Sequence, residues 1–336
     1  MRSSLEALLA TGRVVLADGA TGTNYFQMGL ESGEPPELWN VDHPERVQEL
    51  HRAFVDAGAD IILTNTFGGN RHRLKLHRAE DRVFELNKRA AELAREVADA
   101  APRPVVVAGS VGPTGELFVP LGALTDDDAL EVFTEQIAGL TAGGADVAWI
   151  ETMSAPEELR AAARGAIAVG IPYTATGSFD TAGRTMMGLH PAGFAEVFAG
   201  IEPPPLAIGA NCGVGASDIL VTLSAMAEGN GVERLISKGN CGVPRFRGSE
   251  IVYSGTPDLM AEYACLAVDA GAAIVGGCCG TSAEHLRAMR VALDEHSAVA
   301  PPSTQQIIER IGPLANSMPE APADHAARTR GRNRVR

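Results

Sequence analysis

Five cysteines occur in this chain of 336 residues, at positions 212, 241, 265, 278 and 279, and none falls in the first 200. Cysteines confined to the last part of a chain cannot form a disulfide framework for the whole of it. In a reducing compartment such a cluster points to metal binding or catalysis. No CxxC pair is present, as a closed structural zinc site at short spacing would want. Three thiolates, from Cys212 and the Cys278-Cys279 pair, with one coordination position left open, are instead the pattern of a reactive Zn2+ site. Cys241 is read as lining the same region, with a fourth ligand as the alternative. Cys265 falls in the apolar helical stretch Glu262 to Val268 and is read as core packing.

These cysteines need elements that bring distant segments to one place. Eight short apolar runs recur, each closing on Gly, Ser, Thr, Asn or an acidic residue: 14–18, 60–65, 105–110, 147–151, 173–177, 206–211, 235–240 and 272–277. Continuous apolar character predicts strands buried on both faces, as in a parallel sheet. Amphipathic stretches lie between them, such as Pro44 to Ala57, Glu80 to Ala98 and Asp126 to Ala142, several ending at a Gly that caps the helix. Eight such units in about 280 residues predict an α/β fold of the (β/α)8 TIM barrel type rather than an open doubly wound sheet.

A barrel builds its active site from the C-terminal ends of its strands. Polar residues gather there: Asp18, Thr64, Asn65, Thr66, Ser110, Glu151, Thr176, Asn211 and Asn240, together with Cys212, Cys241, Cys278 and Cys279. Neighbouring side chains of an extended strand face opposite ways. Cys278 and Cys279 can therefore share one metal only where the strand has ended and the chain turns, and Gly276, Gly277 and Gly280 permit that turn. By spacing alone, Asp18 and Glu151 could be a general acid and base.

The domain organisation expected is one barrel over residues 1–298 and a flexible Pro/Ala/Arg-rich tail over 299–336, ending in Arg328, Arg330, Arg332, Arg334 and Arg336. A net charge of −14 excludes a basic nucleic-acid surface. No signal peptide and no stretch long and apolar enough for a membrane span is read, so a cytoplasmic location is expected. The sequence leaves a homo-oligomer open.

Several segments together resemble the homocysteine S-methyltransferase family, over residues 10 to 296. They are Asp18-Gly19-Ala20-Thr21-Gly22-Thr23, Thr64-Asn65-Thr66-Phe67, Gly109-Ser110-Val111-Gly112-Pro113, Gly209-Ala210-Asn211-Cys212-Gly213 and Gly276-Gly277-Cys278-Cys279-Gly280-Thr281. The resemblance implies zinc held by Cys212, Cys278 and Cys279, with the homocysteine sulfur as fourth ligand. It implies Asp18 and Glu151 at the substrate ammonium and the backbone near Ser110 and Val111 at its carboxylate. Gly19, Thr66 and Asn211 would border the substrate, with Asn65 beside the reacting groups. The strand-seven segment departs from the family's Asn-Ala-Gly, since this chain has Asn240-Cys241-Gly242.

The chemistry implied is displacement at a methyl carbon by a thiolate, which zinc maintains at neutral pH. The partners are then homocysteine and a small methyl donor. A trimethylammonium donor such as betaine is favoured, because aromatic faces bind such cations and Tyr25, Phe26, Trp39, Phe67, Tyr173 and Phe179 lie near the strand ends or in the first loop. Tyr25 and Trp39 are the leading candidates. S-methylmethionine, S-adenosylmethionine or a corrinoid protein are the alternative donors, and no DxHxxG corrinoid segment is present in this chain. From a different class, Lys238 near the end of strand seven could form a Schiff base as in an aldolase. A non-catalytic zinc store is a further rival, poorly matched to an open coordination position.

Overall fold

A computed structural model describes residues 2–229, 233–242, 244–247 and 250–316, with the backbone alone for 244–252. The arginine-bearing end of the expected tail, residues 317–336, lies outside the described residues. Eight parallel strands form the ring: β1 (Val15–Leu16), β2 (Ile61–Leu63), β3 (Val106–Val111), β4 (Val147–Met153), β5 (Tyr173–Gly177), β6 (Ile208–Cys212), β7 (Leu235–Gly239) and β8 (Ala272–Gly277). Each pairs with its sequence neighbour from β2 through to β8, and β8 pairs with β1. A parallel bridge between Ala17 and Ile61 closes the circle. The fold is the expected (β/α)8 barrel.

Alternation along each strand sorts the two apolar layers. Val15, Ile61, Val106, Val147, Ile236 and Ile274 point into the ring around the buried indole of Trp149, and Leu5 and Leu9 of the N-terminal helix plug its lower end. Leu16, Ile62, Val107, Ala148, Ile150 and Ala175 point outward beneath the surrounding helices. The same alternation carries Ser110, Glu151, Thr176, Asn211 and Lys238 into the top layer of the interior.

The seam between β1 and β2 is joined partly by side chains. Asp60 accepts from the Leu16 amide at 3.0 Å, and Asp18 accepts from the Leu63 amide at 2.7 Å. Asp60 also gathers Arg13, Arg103 and Arg290 within 4 Å, from the N-terminal segment, a loop and the last barrel helix.

Three local features differ from the sequence expectation or were not foreseen in it. β1 and β2 are each shorter than their apolar runs, whereas β4 runs on past its run to Met153. An antiparallel hairpin, Pro244–Arg247 with Glu250–Tyr253, follows β7. Within the expected flexible tail, Thr304–Arg310 is helical and capped by Ser303. Beyond it, Gly312 accepts from Ser217, and the Asn316 amide donates to Asp218. Among the described residues no helix is long and apolar enough to cross a membrane.

Asp60→Ala leaves the Leu16 amide without its acceptor and three arginines without their shared anion. We expect a loss of about 2–4 kcal/mol in urea unfolding. A loss below about 1 kcal/mol, the range of an ordinary surface ion pair, would show that the seam does not depend on it.

Candidate active site and metal centre

The Sγ atoms of Cys212, Cys278 and Cys279 lie within 4.8 Å of one another. Zinc–thiolate bonds of about 2.3 Å in a tetrahedron put sulfurs roughly 3.8 Å apart, so the three fit one ion with small adjustment and leave a face open. The turn demanded by adjacent cysteines is present: β8 ends at Gly277, and Gly280 is left-handed at φ +81°. A Cβ on Gly280 would stand 2.3 Å from the Tyr253 ring, so only glycine passes there.

Cys212 is itself left-handed, with φ +61°, as is Thr152 at +62°. Such a conformation costs an ordinary side chain about 1–2 kcal/mol and persists only where neighbours fix it. Here two asparagines do so. Asn211 accepts from the Thr152 amide at 2.8 Å and from the Thr176 hydroxyl at 2.7 Å, and donates to the Thr152 hydroxyl at 2.7 Å. Its Nδ2 also lies 4.0 Å from the sulfur of Cys278. Asn240 donates to the Gly213 carbonyl at 2.7 Å and accepts from the Cys279 amide at 3.0 Å, so it clasps the two cysteine-bearing loops together. The close approach of the other two thiols pulls the Cys279 pKa down, while Cys212 and Cys279 push Cys278 up.

Cys241 does not join this group. Its amide donates to the Cys279 carbonyl and its carbonyl accepts from Gly255; a Cβ on Gly255 would lie 2.6 Å from its sulfur, so the thiol is turned to that glycine. Burial pushes the thiol up to about 12.

The cysteines face a cavity of about 550 Å³ over the strand ends, within the usual range for a small-molecule site. Its wall includes Gly19, Thr66, Asn65, Ser110, Glu151 and Lys238. Glu151 accepts from the Ser110 hydroxyl at 2.5 Å, and burial raises its pKa to about 7 against the opposing pull of Lys238. Asp18 is bound by the Leu63 amide and by the Lys238 ammonium, 2.7 Å from Oδ1, both side chains being almost fully buried. Burial raises the Asp18 pKa, and Lys238 opposes it.

Other sequence candidates stand further off. Val111 is buried within β3, and the Ser110 amide already donates to Thr64 at 3.0 Å. Tyr25 and Trp39 pack at a tilt, ring centroids 5.3 Å apart, in the wall behind the cavity, with Arg46 over the Trp39 ring. Both rings are turned inward on short helices, so neither reaches the cavity surface; Phe26 and Phe67 do. Glu37 and Thr152 are wall residues that had no part in the sequence reading. Glu37 accepts from the Gly68 amide at 2.6 Å, and Thr152 carries the strained backbone. A buried acid in a Pro-rich turn has no periodic signal.

A family model for homocysteine S-methyltransferases matches residues 15–293. The chain belongs to the homocysteine S-methyltransferase family. It is 30% identical over 300 residues to the methionine synthases of Mycobacterium leprae and Mycobacterium tuberculosis, covering 84% of this chain. It spans about a quarter of the length of those relatives, 24% and 25% respectively. The fold matches that of the homocysteine methyltransferase MmuM from Escherichia coli in its metallated form, with a TM-score of 0.71 at 23% identity. That match covers 85% of this chain and 99% of MmuM. The oxidized form of MmuM gives 0.72 at the same identity, over 86% of this chain and 99% of the other.

In this barrel Glu151 is held at a cost to stability. Its folded pKa of about 7 exceeds the ordinary 4.5. The stability associated with its protonated form is complete below pH 4.5 and is lost as pH rises through 7. Glu151→Gln should therefore stabilise the metal-free protein at pH 8, by up to ~3 kcal/mol, and leave it little changed at pH 4. Urea unfolding at the two pH values checks this; an equal effect at both would contradict the assignment.

Proposed function

We propose that this chain is a zinc-dependent methyltransferase that moves a methyl group from a cationic donor to the thiol of homocysteine, giving methionine. The observation that carries it is the convergence of three sulfurs from two strand ends on one cavity, in a chain of this family. Cys212, Cys278 and Cys279 would hold the ion. Bound zinc would take the acceptor sulfur at its open face and keep it a thiolate at neutral pH.

The chain's own residues do the rest. Glu151 has one hydrogen bond from Ser110, and a carboxylate accepts about four. The remaining capacity suits the α-ammonium of homocysteine, with Asp18 adding negative charge nearby. Gly19, Thr66 and Asn65 border the same space, and Asn211 keeps Cys278 and Thr152 in place. The sulfur then displaces the donor's leaving group at the methyl carbon. No proton need be given or taken at that carbon, which favours binding roles for Asp18 and Glu151 over acid–base roles.

Betaine remains the favoured donor. The aromatic faces offered to its trimethylammonium group are those of Phe26 and Phe67, each worth about 0.5–2 kcal/mol to a cation. The free thiols of such a site fit a reducing compartment, so the cytoplasm is the proposed location.

Two measurements test the reading. The purified protein should carry about one zinc per chain, and Cys212→Ser should lose most of it; normal metal content in that variant would remove the proposed centre. Incubated with homocysteine, the protein should form methionine from betaine in preference to S-methylmethionine, S-adenosylmethionine or a methylcobamide. Phe67→Ala should raise the betaine KM about 3- to 30-fold with zinc content unchanged. Failure of every donor would sink the acceptor assignment.

A further inference from the structure

A site that exposes a methyl donor to several sulfurs must direct the transfer to one of them. Cys212, Cys278 and Cys279 all line the cavity, and each thiolate is itself a nucleophile toward a methyl carbon. The surroundings of the three sulfurs bear on that choice.

Each of them has a side-chain donor beside it. The Nδ2 of Asn211 lies 4.0 Å from the Cys278 sulfur. Asn240, clasped between the Gly213 carbonyl and the Cys279 amide, also meets the Cys212 sulfur. The Tyr253 hydroxyl meets the sulfur of Cys279. Among the described residues, the cavity wall includes the three cysteines but none of Asn211, Asn240 and Tyr253. The donors therefore stand behind the sulfurs, on the side away from an arriving substrate.

Tyr253 is the member of this set that comes from outside the barrel strands. It ends the hairpin, opposite Pro244. Two residues on, the Gly255 amide donates to the Cys241 carbonyl at 3.0 Å, and the Cys241 amide donates to the Cys279 carbonyl at 2.9 Å. The Tyr253 ring stands on Gly280, where an added Cβ would lie 2.3 Å from its Cγ. Hairpin end, Cys241 turn and cysteine pair are thus tied together, and the hydroxyl is carried to Cys279.

We propose that these donors cap the chain's own sulfurs against methylation, and that Tyr253 is the positioning residue that does so for Cys279. This rests on the zinc reading above. A hydrogen bond to a thiolate draws charge from the sulfur, and nucleophilicity falls with basicity. Attack by Cys279 would form an S–CH3 bond, release the leaving group with its electron pair and turn a charged ligand into a neutral thioether. Three capped sulfurs and one uncapped acceptor sulfur leave the acceptor the most reactive, and the centre survives repeated turnover.

The test exposes the zinc-loaded protein to iodomethane, a methyl donor that needs no binding site, and reads methylation at each cysteine by peptide mass spectrometry. Tyr253→Phe keeps the ring on Gly280 and removes only the hydroxyl. Cys279 should then be methylated about 3- to 30-fold faster, with Cys212 and Cys278 within about twofold of wild type and zinc content unchanged. With Co2+ in place of zinc, the thiolate-to-metal charge-transfer absorption should move to lower energy in the variant. An unchanged Cys279 rate would overturn the assignment. So would an equal rise at all three cysteines, with or without loss of zinc, which would mark Tyr253 as a support for the turn. A wild type that holds no zinc would overturn the metal reading itself, and the assignment with it.

Discussion

Closure of eight short parallel strands into a ring decides where everything else can be. The interior is filled with apolar side chains up to Trp149, so polar groups that point inward have a place only in the last layer, at the C-terminal rim. Ser110, Glu151, Thr176, Asn211 and Lys238 gather at that rim because alternation turns each of them inward near the C-terminal end of its own strand. Residues 66 positions apart in sequence, such as Cys212 and Cys278, become neighbours because β6 and β8 flank β7 in the circle.

The rim is held under tension. Two non-glycine residues, Thr152 and Cys212, stand in the left-handed region, and the groups that fix them also define the cysteine cluster. Asn211 and Asn240 each join two or more strand ends, so the positions of the three sulfurs are set by a hydrogen-bonded collar rather than by any one loop. Such outer partners commonly tune a metal centre by as much as the ligands themselves. The buried pair of Asp18 and Lys238 belongs to the same collar, since Asp18 also completes the seam through the Leu63 amide.

Much of this could be read from the chain alone, because the signals were periodic. Apolar runs closing on polar residues marked the strands and, through them, the rim. The adjacency of Cys278 and Cys279 required a turn that the flanking glycines permitted, and the turn is there. What escaped was not periodic. Aromatic type does not say which way a ring faces on a short helix, so Tyr25 and Trp39 were expected at the cavity and instead pack against each other behind it. The partnership of Lys238 and Asp18 joins residues 220 positions apart, and only the folded ring brings them together. The helix at Thr304–Arg310 sits in a stretch whose Pro and Ala content suggested a loose tail, yet Ser303 and Gln306 form a capping box that starts it.

The Asp60 cluster carries a further consequence. It ties Arg13, ahead of the first strand, and Arg290, on the last barrel helix, to one carboxylate beneath the ring. The two ends of the barrel's chain are thereby joined at the underside, opposite the face where chemistry is expected. A closed circle fastened in this way has no obligatory first strand. The polypeptide could in principle be cut in an upper loop and rejoined across the lower face, giving a circularly permuted chain in which the cysteine-bearing strands come first.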